Sequence, residues 1–295
     1  MRGLKWITAI ASLALCATAG AADGFGPSSP LPAAHSFTLG KLHLTTLHVA
    51  QYVIPNDGKT FALGVDPSQV SDLLRSAGAP TDRITLSINA LLVRTGHRLV
   101  LIDAGFGPKM HGVLLESLHE AGVKPSAVTD VLLTHSHGDH TGGLLDADGH
   151  MAFPKATIRM AKDEWAYMQA KGEPDLVKAV SGKVHTFEPG TQIVPGITAV
   201  ALKGHTPGHV GYEIASGNEH LLDIGDLAHS YIISLQRTQW PVQFDGDNAL
   251  AKNTRATTLK QLAADQELVF APHFPFPGVG HIEAAGDNFV WKPAN

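Results

Sequence analysis

One cysteine in 295 residues, Cys16, sets the first boundary. No disulfide can close within the chain, and no thiolate cluster can hold a metal. Any metal ligand must therefore be a histidine or a carboxylate. Lysine and arginine form no cluster, and the formal charge is −5. That excludes the basic stripe a nucleic-acid partner requires. There is no G-x-S-x-G turn, so the serine of an esterase elbow is missing. No repeat of roughly 20–50 residues is visible. Beyond the N-terminal segment, no apolar run is long enough to span a bilayer. What remains is ample for a core: 44% of residues are hydrophobic and 17% charged. The length allows one large domain or two modest ones.

The N-terminus reads as a targeting segment. Arg2 and Lys5 form a short basic region, and Ile7–Cys16 is apolar but too short for a membrane span. Small residues at 17–19 and 19–21 fit an A-x-A cleavage rule. The expectation is a signal peptide at 1–21, a periplasmic or secreted product and no membrane span after cleavage; the alternative is an uncleaved anchor. Leu13–Cys16 weakly resembles a lipoprotein box, but Leu15 is large where a small residue is required. Residues 22–36, with Ser28, Ser29, Pro30 and Pro32, read as a flexible lead-in. Residues 37–295 read as one domain.

Strands dominate that domain. Phe37–Ile54 alternates as two strands, and 55–85 is a Gly/Pro/Asp-rich excursion with a helical stretch near Pro67–Ser76. Such an excursion often serves as a binding loop, and its part at 55–66 reads as a lid or a dimer contact. Ile88–Val93 and Leu99–Asp103 read as a hairpin, His111–Ala121 as an amphipathic helix, and Val128–Leu133 as a short strand. Thr157–Met160 is a strand, and Lys162–Ala170 a helix with Asp163 and Glu164 in its first turn. Strands then recur near 191–203, 210–215 and 220–224, followed by a helix from about Asn248 to Ala264 and a strand at Glu267–Ala271. Two strand-then-helix halves suggest two sheets face to face with helices outside.

The chemistry starts where the strand at 128–133 stops. Thr134-His135-Ser136-His137-Gly138-Asp139-His140 holds four metal-binding side chains in six positions. In an extended loop, residues two apart point the same way, so His135 and His137 can reach one ion together. Asp139 and His140 lie further round the turn that Gly138 permits, and face another point. One closed tetrahedral site from six consecutive residues would be cramped. The geometry favours two incomplete half-sites; a histidine-rich surface loop is the bland alternative. Partners are needed, and several stand at strand ends: His205 and His209 in Gly204–His209, Asp223 and Asp226 in Leu222–Asp226, and His273 after Leu268–Ala271. Each is weak singly, and their shared position is the argument.

These motifs in this order resemble the metallo-β-lactamase superfamily. Leu101-Ile102-Asp103-Ala104-Gly105 is similar to its early strand-Asp-x-Gly motif. The run Ala271–Ile282 resembles the branch containing methyl parathion hydrolase and exported lactonase-like enzymes. The resemblance covers essentially the whole mature chain. It implies an α/β (α+β) four-layer αββα sandwich. It also implies two divalent metal ions, zinc first, with iron, cobalt or manganese open. One ion would take His135, His137 and His205, and the other Asp139, His140 and His273. Asp226 would bridge them, in preference to Asp223, and His205 is preferred to His209. Asp103 would brace the loop without binding metal.

The resemblance further implies a hydrolase in which a metal-bridging hydroxide attacks a lactone, ester or phosphotriester. Asp139, Asp226 and His229 are the candidate catalytic residues. His229 stands where many quorum-quenching lactonases carry a tyrosine; it either donates to a substrate oxygen or caps its loop. Tyr52, Phe61, Trp165, Phe274 and Phe276 are candidate pocket walls, with Phe274 and Phe276 foremost, although core packing is the plainer reading for each. True β-lactamases usually carry Cys or Ser where Asp226 stands. Glyoxalase II needs a C-terminal helical region, and only residues 274–295 follow His273. Ribonuclease relatives need a basic surface. Flavodiiron relatives carry Glu where His137 stands. The expected partner is a small-molecule substrate, with a homodimer admitted. The competing reading is a non-catalytic member that binds metal or a small ligand.

The targeting segment is open to a direct check. Expressed with its own N-terminus in a Gram-negative host, the chain should appear in the periplasm or medium. Its first residue should be Gly20 or Ala22 by N-terminal sequencing; a chain that starts at Met1 and stays with the membrane would contradict the assignment.

Overall fold

The computed structural model describes residues 24–294. The expected signal segment at 1–21 lies outside the described residues. The first sheet contains β1 (Gly26–Ser28), β2 (Ala33–Leu39), β3 (Leu42–Pro55), β4 (Arg83–Thr95), β5 (Arg98–Ile102), β6 (Asp130–Leu132), β7 (Thr157–Ala161) and β8 (Val184–Phe187). Its order is β1-β3-β4-β5-β6-β7-β8, with β2 also on β3. The second contains β9 (Gln192–Val194), β10 (Ile197–Ala201), β11 (Val210–Ser216), β12 (Glu219–Asp223), β13 (Leu268–Phe270), β14 (Val279–Ala285) and β15 (Asn288–Pro293), in order β15 to β9.

Alternation along the strands builds the layers. Leu91, Val93, Val100 and Ile102 of the first sheet meet Val210, Tyr212, Ile214, Leu221 and Phe270 of the second in the central core. Their neighbours Leu92, Leu99 and Leu101 point the other way, onto α2 (Leu114–Glu120), α4 (Lys162–Lys171) and α5 (Pro174–Val180) through Leu118, Met168 and Val180. On the far side Leu222 and Val269 pack under Leu259 and Leu262 of α7 (Asn248–Asp265). The result is the helix–sheet–sheet–helix sandwich that the motif order implies.

β5, β6, β7 and β8 run parallel, as do β12 and β13. Parallel strands are covered on both faces, which is why 131–133 is apolar throughout. Asp130 is the exception on β6. It is fully buried and bound by Arg98 at 2.7 Å and Arg159 at 2.9 Å. At the strand ends the Tyr212 hydroxyl donates to the Leu133 carbonyl at 2.8 Å and ties the sheets together beside the histidine motif.

One part of the sequence reading needs correcting. Residues 24–36 of the expected lead-in are not a simple tether: β1 pairs with Val53, Tyr52 and Gln51, and β2 with 42–48. The hydrogen-bonding edge of the long strand β3 orders a segment whose own sequence is rich in turn formers. The excursion at 55–66 is anchored at its middle, with Lys59 exposed. Phe61 and Ala62 are buried with α1 (Pro67–Ser76), Ile232, Val242 and Ile233 of α6 (Ile233–Gln236), and Phe61 forms a bridge to Val242. The pair β14 and β15 and the element β8 carry no strong pattern and become strands by pairing.

One carboxylate at the rim of the second sheet sets a pH dependence. Burial and the neighbouring Glu213 push the Glu267 carboxyl up to about 8, from an ordinary 4.5. The folded chain therefore holds this proton more tightly than the unfolded chain. Its contribution is full below about 4.5 and is lost as pH rises through about 8. Glu267→Gln should match the parent in melting temperature near pH 4.5 and exceed it by a widening margin towards pH 8.5. A margin that stays constant or narrows would contradict this.

Candidate metal centre

The centre lies where strands of both sheets end. Asp103 follows β5 and adopts a left-handed backbone, φ 59°. Its carboxylate accepts from the Thr134 amide at 2.9 Å, the Thr134 hydroxyl at 2.8 Å and His140 Nδ1 at 2.7 Å. One buried side chain thus fixes both ends of the loop 134–140. α3 (Gly138–Thr141) then turns Asp139 away from His137.

Three further strand ends complete the cluster. After β10, the loop 204–209 presents His205. After β12, the 3-10 turn at 225–227 presents Asp226. After β13, His273 follows. The Asp226 carboxylate lies in the middle and its two oxygens face different groups. Oδ2 is 3.1 Å from His205 Nε2 and 3.6 Å from His135 Nε2. Oδ1 is 3.0 Å from His140 Nε2 and 2.9 Å from His273 Nε2. His137 Nδ1 joins the first group, 2.9 Å from His205 Nε2. Asp139 Oδ2 joins the second, 3.7 Å from His140 and 3.6 Å from His273. In each group the donor atoms all lie within 4.8 Å of one another.

The outer nitrogens show what the inner ones offer. His140 Nδ1 donates to Asp103, His205 Nδ1 to Asp245 at 3.0 Å, and His273 Nδ1 to the Ser87 carbonyl at 3.0 Å. With the proton committed outward, each Nε2 turns a lone pair inward. His140 Nε2 and His273 Nε2 then face each other at 3.3 Å, and lone pairs that close repel unless a proton or cation lies between them. His135 Nε2 and Asp226 Oδ1 are buried without a hydrogen-bond partner. An all-nitrogen-and-oxygen donor set with orphaned inner atoms fits two divalent ions.

Charge tells the same story in the bare protein. Burial raises the Asp226 carboxyl, but His273, His140 and His135 outweigh it and hold it well below the ordinary range. Burial lowers His140, yet Asp226 and Asp103 carry it well above its ordinary value. His205 stands near 9 in the same way, with burial outweighed by Asp226 and Asp245. Protons here stand in for the positive charge the carboxylates demand, so acid must compete with metal.

The seven candidate ligands are thus brought together, and the two paired choices separate. His209 is not in either group. Its Nδ1 donates to Leu202 at 2.7 Å and its Nε2 accepts the Asp226 amide at 2.9 Å, so it seats the Asp226 backbone. Burial and the nearby His205 hold it down to about 3, which keeps that lone pair free. Asp223 is buried and accepts the Gly225 amide at 3.0 Å. His229 Nε2 lies 3.1 Å from Asp226 Oδ2. Its side chain does not cap the loop; Ser234 Oγ accepts the amides of His229 and Ser230 at 3.2 and 3.1 Å instead.

A cavity of about 440 Å³ opens over the cluster, walled by Tyr52, Leu86, Ile88, Phe106 and Phe244. His137 and Asp139 are the half-exposed members of the cluster and form its floor. Of the aromatic wall candidates only Tyr52 lines it. Phe61 is buried and meets the His229 ring edge-on at 6.3 Å. Trp165 packs in the outer core of the first sheet. The chain turns after β13, and with His273 facing the centre Phe274 enters the core against Trp291, while Phe276 stacks on His48 at 5.1 Å. Pro27 of β1 also reaches the cavity, from the segment read as lead-in.

Sequence reasoning missed Asp245 and Arg255. Asp245 accepts from His205 and, at 2.7 Å, from the fully buried guanidinium of Arg255 on α7. A signal existed: Arg255 falls on the buried face with Ala251, Leu259 and Leu262, a register where an arginine requires a partner.

The Metallo-beta-lactamase superfamily model matches residues 83–273. The chain is 27% identical over 197 residues to lactamase-like protein ptaB of Pestalotiopsis fici, covering 66% of this chain and 50% of that protein. It is 31% identical over 160 residues to metallo-beta-lactamase type 2 of Bacillus cereus, covering 49% and 57%. The chain thus spans about half the length of the curated relatives it matches. Among solved structures it is similar to AidC, a dizinc quorum-quenching lactonase in complex with a product, N-hexnoyl-L-homoserine. That likeness has a TM-score of 0.83 and 30% identity over 90% of this chain and 98% of that one. It is similar also to the hydrolase AbOPH in the beta lactamase superfamily, with a TM-score of 0.81 and 29% identity over 90% and 99%.

Asp103→Asn tests the local architecture. The amide offers N–H groups where three donors already point, so the loop 134–140 loses charge-assisted hydrogen bonds. A loss of about 2 kcal/mol in chemical denaturation is expected; a change under about 0.5 kcal/mol, the scale of an inert surface substitution, would show that Asp103 does not hold the loop.

Proposed function

The chain belongs to the metallo-beta-lactamase superfamily, and from that premise we propose that it is an exported two-metal hydrolase of lactones or related carboxylic esters. The observation that carries the reading is the division of Asp226, with one oxygen turned to His135, His137 and His205 and the other to Asp139, His140 and His273. We assign those seven residues as ligands of two divalent ions, with zinc first. Such a pair of ions supplies Lewis acidity and a nucleophile drawn from water at neutral pH.

The residues around the centre supply the rest. Leu86, Ile88, Phe106 and Phe244 give an apolar wall suited to an acyl chain. Approach runs over His137, Gly138 and Asp139, the open side of the cluster. Burial and Asp139 raise the Tyr52 phenol above its ordinary range, so it stays protonated and able to donate to a substrate oxygen. His229 is assigned to the cavity side of the Asp226 carboxylate, with its Nε2 3.1 Å from Oδ2. A lone serine or cysteine nucleophile is not needed. The likeness to AidC supports a lactone. The likeness to AbOPH keeps other hydrolysable bonds in view, a phosphotriester among them.

Purified chain should carry two metal ions and turn over acyl-homoserine lactones or aryl esters well above a phosphotriester and a cephalosporin. Asp226→Ala should lose a metal and at least about 100-fold in kcat/KM, the scale of losing a ligand-level interaction. Two ions with no turnover on the whole panel would instead favour a metal-dependent binding protein. Full activity with two ions in Asp226→Ala would overturn the bridging assignment.

A further inference from the structure

We propose that Glu164 is a positioning residue for one metal only, the one assigned to His135, His137 and His205. This rests on the two-metal reading above and adds an asymmetry to it. Glu164 lies in the first turn of α4 and is fully buried. Asp163 beside it is exposed and pairs with Lys203. An acidic residue in a first turn usually faces solvent and complements the helix dipole. Glu164 does something else.

Its two oxygens grip two separate loops. Oε1 accepts from the Ser136 amide at 2.8 Å and the Ser136 hydroxyl at 2.6 Å. Oε2 accepts from the Thr206 hydroxyl at 2.6 Å and the Gly208 amide at 3.1 Å. Ser136 stands between His135 and His137, and Thr206 follows His205. The three histidines of one group are therefore set against one another through a single carboxylate. The loop 204–209 sits directly on α4: a Cβ on Gly208 would come within 2.1 Å of the Glu164 backbone nitrogen. No cation pairs with Glu164 among the described residues, so its partners are these four donors.

The other group is held by different means. Asp103 orients His140, and the Ser87 carbonyl orients His273. Glu164 makes no hydrogen bond to either, nor to their neighbours. Its contacts stop at the three-histidine group.

The chemistry also says why the residue is Glu. Four donors and no acceptor without a donor point at it, which a carboxylate alone satisfies. A glutamine in its place presents an NH₂ group on one side. In one flip that group faces the Gly208 amide, in the other the Ser136 amide, and both are donors only. Neither orientation works, so the isosteric change should loosen one loop or the other.

The test uses the zinc-loaded full chain, with zinc counted by elemental analysis and then withdrawn by a chelator of graded concentration. The parent should release two ions in two steps. In Glu164→Gln one ion should leave at about 10- to 100-fold lower chelator strength, the usual cost of losing an orienting partner, while the other step stays where it was. On a His273→Ala background, the remaining ion should be loosened by Glu164→Gln. On a His205→Ala background, the same change should leave the remaining ion's step in place. Thr206→Val keeps the shape and removes one donor; should Glu164→Gln fail to fold by circular dichroism, this variant must show the one-ion shift. Equal loosening of both ions, or of neither, overturns the proposal. A parent chain that holds fewer than two zinc ions overturns the two-metal reading itself, and the wild-type count tells that failure apart.

Discussion

A carboxylate surrounded by imidazoles organises this molecule. Asp226 is buried, and His135, His140, His205, His229 and His273 all bring a ring nitrogen within 3.6 Å of it. Burying a charge is costly unless it is met on every side. The fold meets it by bringing strand ends from both sheets to one edge. All of them except His229 are then held from outside by Asp103, Asp245, Ser87 or Thr134, so that the inner nitrogen has one direction to point. The sandwich is the frame that holds these outer partners still.

Much of the centre was legible before any coordinates. The motif at 134–140 has too many donors for one ion and too few for two, and that mismatch sends the reader downstream to His205, Asp226 and His273. Their common place at strand ends comes from hydrophobic patterning, which is strong in β4, β5, β6 and β12. The choice between His205 and His209 was not legible from spacing. It depends on His209 being turned back onto Leu202 and the Asp226 amide, a tertiary fact.

Less legible were the residues that act at one remove. Glu164 looks like a helix-dipole carboxylate until the loop 204–209 is seen to pack on it. Arg255 looks like a surface arginine until its register is set beside Leu259 and Leu262. β1 and β2 have weak patterns because β3 lends them its edge. The aromatic residues after His273 were misplaced because the chain leaves strand geometry after β13 and turns Phe274 onto Trp291 and Phe276 onto His48. Local pattern reports which residues share a face; it does not report which element arrives to cover that face.

The centre also bears on how the chain holds its shape. With a single cysteine, it has no covalent tie between its halves. The ligand groups join positions far apart: 135 with 205, and 140 with 273. An ion shared by such residues would close loops of the kind a disulfide closes, and the entropy removed from the unfolded chain grows with the logarithm of loop length. Because each group draws on both sheets, neither can form until the two are docked. Ions taken up there would act as reversible cross-links added last, and a chain emptied of them should lose kinetic persistence before it loses its secondary structure.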